Sequence, residues 1–587
     1  MKPFHSLLAL NLLTWIGPSL AFAERPTAPK LFPDNTLAYV RVDDTRDLRD
    51  RMRATSMGRV GADPELKPIF QELYAGIVEN LQRMQEEVGV NLDEVLSIPN
   101  GELALAVVPT KTTPAICLLL EAGSELPPVE ILLSRLEERL ESRGAFRKTK
   151  DLAGVKLVTW EDEDREERQV GYFIHSGCVV LSSKVEVAEK MARTWTGNAT
   201  DFKPLSENRR FTTILSRCVG AAGERPQVSF YADPIAIVRE VVKQNGNAAM
   251  VAAMLPVLGV DGIQGVGGSL IVRPDDFDSI SHTHLLLASP RKSLLEVIRP
   301  KSGSTDPEVW VSDDVASYST FNWDIKKTMK AVEKIVDNFR GEGAYREEFV
   351  QRANAVLGFD FEKEIVDQLG DRISLAQVFI RPAKINSGSN LYCVHVKNGK
   401  DFEAETMPKI YDVLKKNEAR WEKSSTGTKT VYQLKIQDPS ETIRAPQLCM
   451  AVVGNMVLMS DSRSALDRAL ATAEGQNDPL IESLEFKLVR DRIKAQLGDR
   501  ETSIVSFSRP EESLRLFYDL ASDPNNKARL KEMSENNPMF KVLSNVLERH
   551  KLPSFDVVAK YLAPSGSFVY EDESGIHATG FSLRRDK

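Results

Sequence analysis

His282 and His284 stand two residues apart in a stretch of alternating residue types. In a strand, both imidazoles would point to one face. Two imidazoles side by side can begin a metal site, but a third ligand is not evident nearby, and an exposed strand face accounts for the pair without an ion. Residues 262–268, with glycine at 262, 265, 267 and 268, have the look of a phosphate-binding loop. They precede a strand, however, whereas a dinucleotide fingerprint follows a strand and opens a helix. The Walker lysine is also missing, so the run reads as a flexible approach to a hairpin. Residues 161–168 are strongly acidic but lack the glycine turn and ligand spacing of a calcium loop. A solvated hairpin tip is the simpler reading.

Hydrolase patterns are absent from the chain: no Gly-x-Ser-x-Gly elbow, no His-Glu-x-x-His helix, and no Ser-x-x-Lys with its partner motifs. Trp160, Trp195, Trp310, Trp323 and Trp421 are scattered, as core and core-edge tryptophans are, although one or two could mark a contact patch. The expected inventory is therefore no catalytic residue, no cofactor-binding residue, no metal ligand and no cofactor. The five cysteines, Cys117, Cys178, Cys218, Cys393 and Cys449, are too few and too uneven for a disulfide framework. They read as small buried hydrophobes, with a Cys117–Cys178 bridge as the alternative.

The elements that must position these residues come in two sets. Residues 174–183 reappear as 452–461, and both copies run into a helix-like stretch, 184–193 and 462–471. Other segments match at nearly the same offset. Tyr39 falls against Tyr318, and residues 102–107 against 372–377. Cys117 falls against Cys393, and His395 against Leu119; His175 falls against Val453. No histidine is shared at those places, so no duplicated histidine site is encoded there. The alternation at 102–107 and 372–377 puts Leu103 and Leu105, or Ile373 and Leu375, on one face, as a half-buried antiparallel strand requires. Amphipathic stripes at 69–81 and 325–339 read as helices with one buried face. Strands 229–233 and 505–509 each end at a proline suited to the first turn of a helix.

Runs of adjacent strands broken by helices predict an α+β fold: two tandem similar domains, each a mainly antiparallel sheet with helices packed on one face. Residues 1–23 read as a signal peptide, with Lys2 before an apolar run, a Gly17-Pro18 break and an Ala21-Phe22-Ala23 cleavage site. The first repeat domain then spans 24–300 and the second 301–587, with the turn-rich stretch 300–307 as linker. The expected product is exported, periplasmic or extracellular, with no membrane span after signal cleavage. A formal charge of −8 argues against a nucleic-acid partner.

Pro33, Asp34, Thr36, Tyr39 and Val40 just after the signal, the 89–93 helix start and the Gly101–Ala104 strand start carry a resemblance. The chain is similar to an uncharacterised bacterial secreted-protein family known only as a domain of unknown function. The resemblance covers most of the first half and, more weakly, the second. It implies an exported α+β domain and brings no catalytic residues. The expectation is a non-enzymatic binding or structural protein whose partner is an envelope protein, a polysaccharide or a lipophilic ligand. The alternatives are a periplasmic carrier of a lipophilic small molecule and a hydrolase with a site built from scattered residues.

Overall fold

The computed structural model describes residues 25–72, 98–124, 126–162, 169–199, 202–221, 223–244, 249–384, 386–438, 443–523 and 548–585. The expected signal at 1–23, most of the stripe at 69–81, the expected helix start at 89–93 and residues 163–168 of the acidic run lie outside them.

The first half supplies β1 (Ala38–Val42), β2 (Leu103–Val108), β3 (Ala115–Glu121), β4 (Phe146–Leu152), β5 (Val155–Glu161), β6 (Gln169–His175), β7 (Cys178–Ser182), β8 (Val228–Ala232), β9 (Ile263–Val272) and β10 (Phe277–Leu287). The second supplies β11 (Ser317–Asn322), β12 (Leu369–Phe379), β13 (Gly388–Val396), β14 (Trp421–Thr426), β15 (Lys429–Leu434), β16 (Cys449–Val453), β17 (Met456–Ser460), β18 (Ile504–Ser508), β19 (Ser565–Asp572) and β20 (Gly575–Leu583). Every pairing among them is antiparallel. The first half runs β4-β5-β6-β7-β3-β2-β1-β8-β9-β10. The second runs β14-β15-β16-β17-β13-β12-β11-β18-β19-β20, the same order. A feature that no local pattern announces joins them: β10 pairs with β20 along nearly its whole length. The two closing hairpins thereby fuse the halves into one sheet of twenty strands.

The α+β class is as expected. Strand alternation is also as expected, but at β2 and β12 the buried side is the small-residue side. Ala104, Ala106, Ser374 and Ala376 are buried, while Leu105 is 48 % exposed. Small residues face the core there because large neighbours fill the space above them. In the first half these are Tyr39, Phe211 of α4 (Arg209–Arg217) and the short helix α1 (Ala28–Leu31). The rings of Tyr39 and Phe211 meet edge to face at 5.4 Å, and those of Phe211 and Tyr231 at 5.5 Å. In the second half Phe486 of α7 (Leu484–Leu497) meets Phe507 in the same way at 5.7 Å. Each such buried ring contributes about 2–3 kcal/mol.

Helices α3 (Val185–Trp195) and α6 (Arg463–Ala473) cover the same face as α4 and α7. The opposite face is capped by α2 (Leu126–Glu141) at one end of the sheet and α5 (Met407–Asn417) at the other, so the outer strands carry helices on both faces. Among the described residues no helix is long and apolar enough to cross a membrane.

Candidate functional site

The seam between the halves places His284 directly opposite His577, and His282 opposite Thr579. All three imidazoles lie on the helix-covered face and are buried, at 5 %, 0 % and 2 % exposure for His282, His284 and His577. The exposed strand face expected for His282 and His284 is thus corrected. Their face is covered by α4 and α7, and the neighbouring group that the local sequence lacks arrives from the other half.

Close packing at this face depends on glycine. A Cβ on Gly267 would lie 2.7 Å from Ile214 of α4, and one on Gly566 would lie 2.5 Å from Val489 of α7. The glycine-rich stretch 262–268 is therefore no flexible approach. From Ile263 on, it is strand β9, kept bare so that a helix can press onto it.

The two helices end over the seam. Residues 216, 217 and 219–221 at the end of α4 and 495–500 at the end of α7 wall a cavity of about 610 Å³ whose floor includes His282, His577, Thr579, Phe568 and Tyr570. Helix C-termini present carbonyl groups and partial negative charge. Arg500 lies over the Tyr570 ring at 5.2 Å, and Arg217 pairs with Asp572 at the rim.

His282 Nδ1 lies 3.3 Å from His577 Nε2 and 3.2 Å from Thr579 Oγ1. His284 Nε2 lies 3.0 Å from Ser574 Oγ, and that hydroxyl donates to Asp572 at 2.6 Å. Among the described residues, His282 Nε2, His284 Nδ1 and His577 Nδ1 have no hydrogen-bond partner. Burial lowers the pKa of all three rings; for His577 it falls to about 3, with His282, His284 and Arg500 adding to the effect of burial. The rings are neutral near pH 7. If His577 Nε2–H donates to His282, the ring nitrogens left over are an acceptor on His577 and a donor on His282. The opposite tautomers exchange these roles. Either way, the pair retains one donor and one acceptor.

A second cluster exists in both halves with its charges exchanged. In the first, Arg25, in the segment leading to β1, pairs with Glu102, just before β2, at 2.6 Å and with Glu121 of β3, and Arg41 also holds Glu102. In the second, Glu308, in the segment leading to β11, pairs with Arg372 of β12 and His395 of β13, each at 3.1 Å. The registers make the equivalence explicit. Tyr39 opposes Ala106, which opposes Cys117, and Tyr318 opposes Ala376, which opposes Leu391. Cys117 is therefore equivalent to Leu391, Cys393 to Leu119 and His395 to Glu121, correcting by two residues the match drawn from sequence.

All five cysteines are free and buried, and the residue opposite Cys178 on β3 is Glu121, so there is no Cys117–Cys178 bridge. Trp160, Trp310 and Trp421 are core residues, while Trp195 and Trp323 are half-buried, so none presents an exposed aromatic face. Sequence reasoning missed His577, the buried carboxylates Glu102 and Glu308, and the half-buried Arg372. The available signal for His577 was its parity in the closing strand.

No curated protein matches the chain. Two solved chains, described as crystal forms I and IV of TP0453, are 10 % and 11 % identical to it. They cover 46 % and 45 % of this chain and 82 % and 81 % of their own, with TM-scores of 0.22 and 0.21, too low to bear on the fold. Residues 6–234 are similar to the family described as "Protein of unknown function (DUF3352)", whose model they match.

Proposed function

We propose that this is an exported, non-enzymatic binding protein, built from a duplicated α+β unit, whose ligand sits at the seam. The common strand order of the halves supports the duplication, and the two domains would then be 24–300 and 301–587. The observation that carries the binding site is the His282–His577 pair among the residues lining the 610 Å³ cavity, where one donor and one acceptor, both buried, have no partner among the described residues. A hydroxyl group is the simplest complement to such a pair, since it donates and accepts at once. Of the expected ligand classes this favours a saccharide over a lipophilic molecule, because the surroundings include Ser216, Arg217, Gln496, Asp499 and Arg500.

A hydrolytic reading has less support. Ser574 meets His284, but Asp572 accepts from the serine instead of orienting the imidazole, and His284 Nδ1 has no partner among the described residues. In the triad arrangement the acid holds the histidine.

The test is histidine-selective ¹⁵N NMR on the full chain with two probes, an N-acetylglucosamine trisaccharide and oleate. The trisaccharide should move the ring signals of His282 and His577, and oleate should not. A response to oleate alone would revive the lipophilic carrier. Silence with the trisaccharide would end the saccharide reading.

A further inference from the structure

Exchanging the signs of the ion cluster calls for a second cation beside Arg372, at the place equivalent to Glu121, and Lys or Arg would serve. The chain instead places an imidazole at 395 and a thiol at 393, two apart on β13 and so on one face. Glu308 reaches over both. One ligand atom from each of Glu308, Cys393 and His395 lies within 4.8 Å of the other two. The carboxylate is buried and its orientation is fixed, since Tyr318 donates to it at 2.8 Å and Ser374 at 2.5 Å. His395 retains 27 % side-chain exposure, which leaves a route from solvent.

From this constellation we infer a binding site for a borderline-soft divalent ion, of the zinc or cobalt class, with Glu308, Cys393 and His395 as its protein ligands. A sulfur, nitrogen and oxygen set suits such ions; calcium and magnesium demand oxygen alone. Bonds of about 2.0–2.3 Å would require the three groups to close in by roughly an ångström. Arg372 competes for the same carboxylate at 3.1 Å. It has other acceptors when displaced: the Asp306 carbonyl, Thr320 Oγ1 at 3.0 Å and Tyr318 OH at 3.0 Å. Tyr318 and Ser374 then act as outer partners that aim the ligating carboxylate. Burial pushes the Cys393 thiol pKa up, so coordination releases its proton to solvent. The first half is an internal control, because the places equivalent to Cys393 and His395 hold Leu119 and Glu121. The site is independent of the seam cavity.

The experiment is titration of the chelator-treated full chain with Co²⁺ alone, followed by ultraviolet and visible absorption. A thiolate-to-cobalt charge-transfer band should appear, disappear on adding Zn²⁺, and be lost in Cys393→Ser and in His395→Leu. The variant His577→Ala should keep it. Circular dichroism checks that each variant is folded, and His395→Leu, at a half-exposed position, serves if Cys393→Ser does not fold. Absence of the band in the wild-type chain, or its persistence in either β13 variant, overturns the assignment.

Discussion

The two ends of the seam share a backbone plan and differ in chemistry. Gly267 opposes His284, and its equivalent Gly566 opposes Phe581; likewise Ile271 opposes Ile280, and Tyr570 opposes His577. His284 is thus equivalent to Phe581, and His577 to Ile280. Across the seam, Ile280 faces Phe581 at one end and His284 faces His577 at the other. The first pair is continuous with the large apolar core, where Phe277 meets Phe581 at 5.2 Å. At the other end, His577 joins His282 in the floor of the cavity. One end therefore holds the halves together, and the other lines with polar groups the cavity where we propose that a ligand sits. The buried ion clusters carry a similar lesson. Geometry is kept while the signs are exchanged, which folding alone tolerates as long as each charge meets its opposite.

The largest expected effect concerns those clusters. Glu102→Arg would set a third guanidinium against Arg25 and Arg41, at a cost of about 4 kcal/mol in chemical denaturation. Adding Arg25→Glu imitates the second half and should recover about 1–2 kcal/mol of it. Strict additivity would show that the exchanged-charge comparison is mistaken.

Next is the acid response of the seam. The three histidines have folded-state pKa values below the unfolded value of about 6.5, so their stabilising contribution is complete above that pH and is lost as pH falls toward the folded values. Between pH 7 and 4, His577 alone should account for about 3 kcal/mol. The double variant His284→Phe, His577→Ile gives the polar end the residues of the apolar end. Denaturation across that pH range should show a shallower loss than in the wild type; an unchanged slope would place the acid sensitivity elsewhere. The smallest effect should come from Arg217→Ala. Its pairing with Asp572 is partly exposed, and its loss should cost less than about 1 kcal/mol while weakening trisaccharide binding at the rim.

Much of the fold is legible in the sequence because strand and helix periods are local. Strand β3 lies at 115–121, and the hairpin-helix unit at 174–193 recurs at 452–471. Register is harder to read, because turns of different length shift the spacing between equivalent residues. That spacing is 279 for Tyr39 and Tyr318, 270 for Ala106 and Ala376, and 299 for Gly267 and Gly566. A single offset therefore set Cys117 against Cys393 when their true equivalents lie two residues away. The site was less legible still. His282 and His284 stood out by spacing, but His577 is almost 300 residues further along. Only the β10–β20 pairing, a long-range contact with no local signature, brings it to them.

That pairing is also the most direct test of the account. Thr283 and Ala578 are register partners across the seam, on the face away from the histidines. In a Thr283→Cys, Ala578→Cys chain under mild oxidation, peptide mapping should recover a disulfide-linked pair of β10 and β20 peptides from monomeric protein. If those peptides are recovered unlinked while the chain is folded, the halves do not share a sheet and the seam cavity loses its basis.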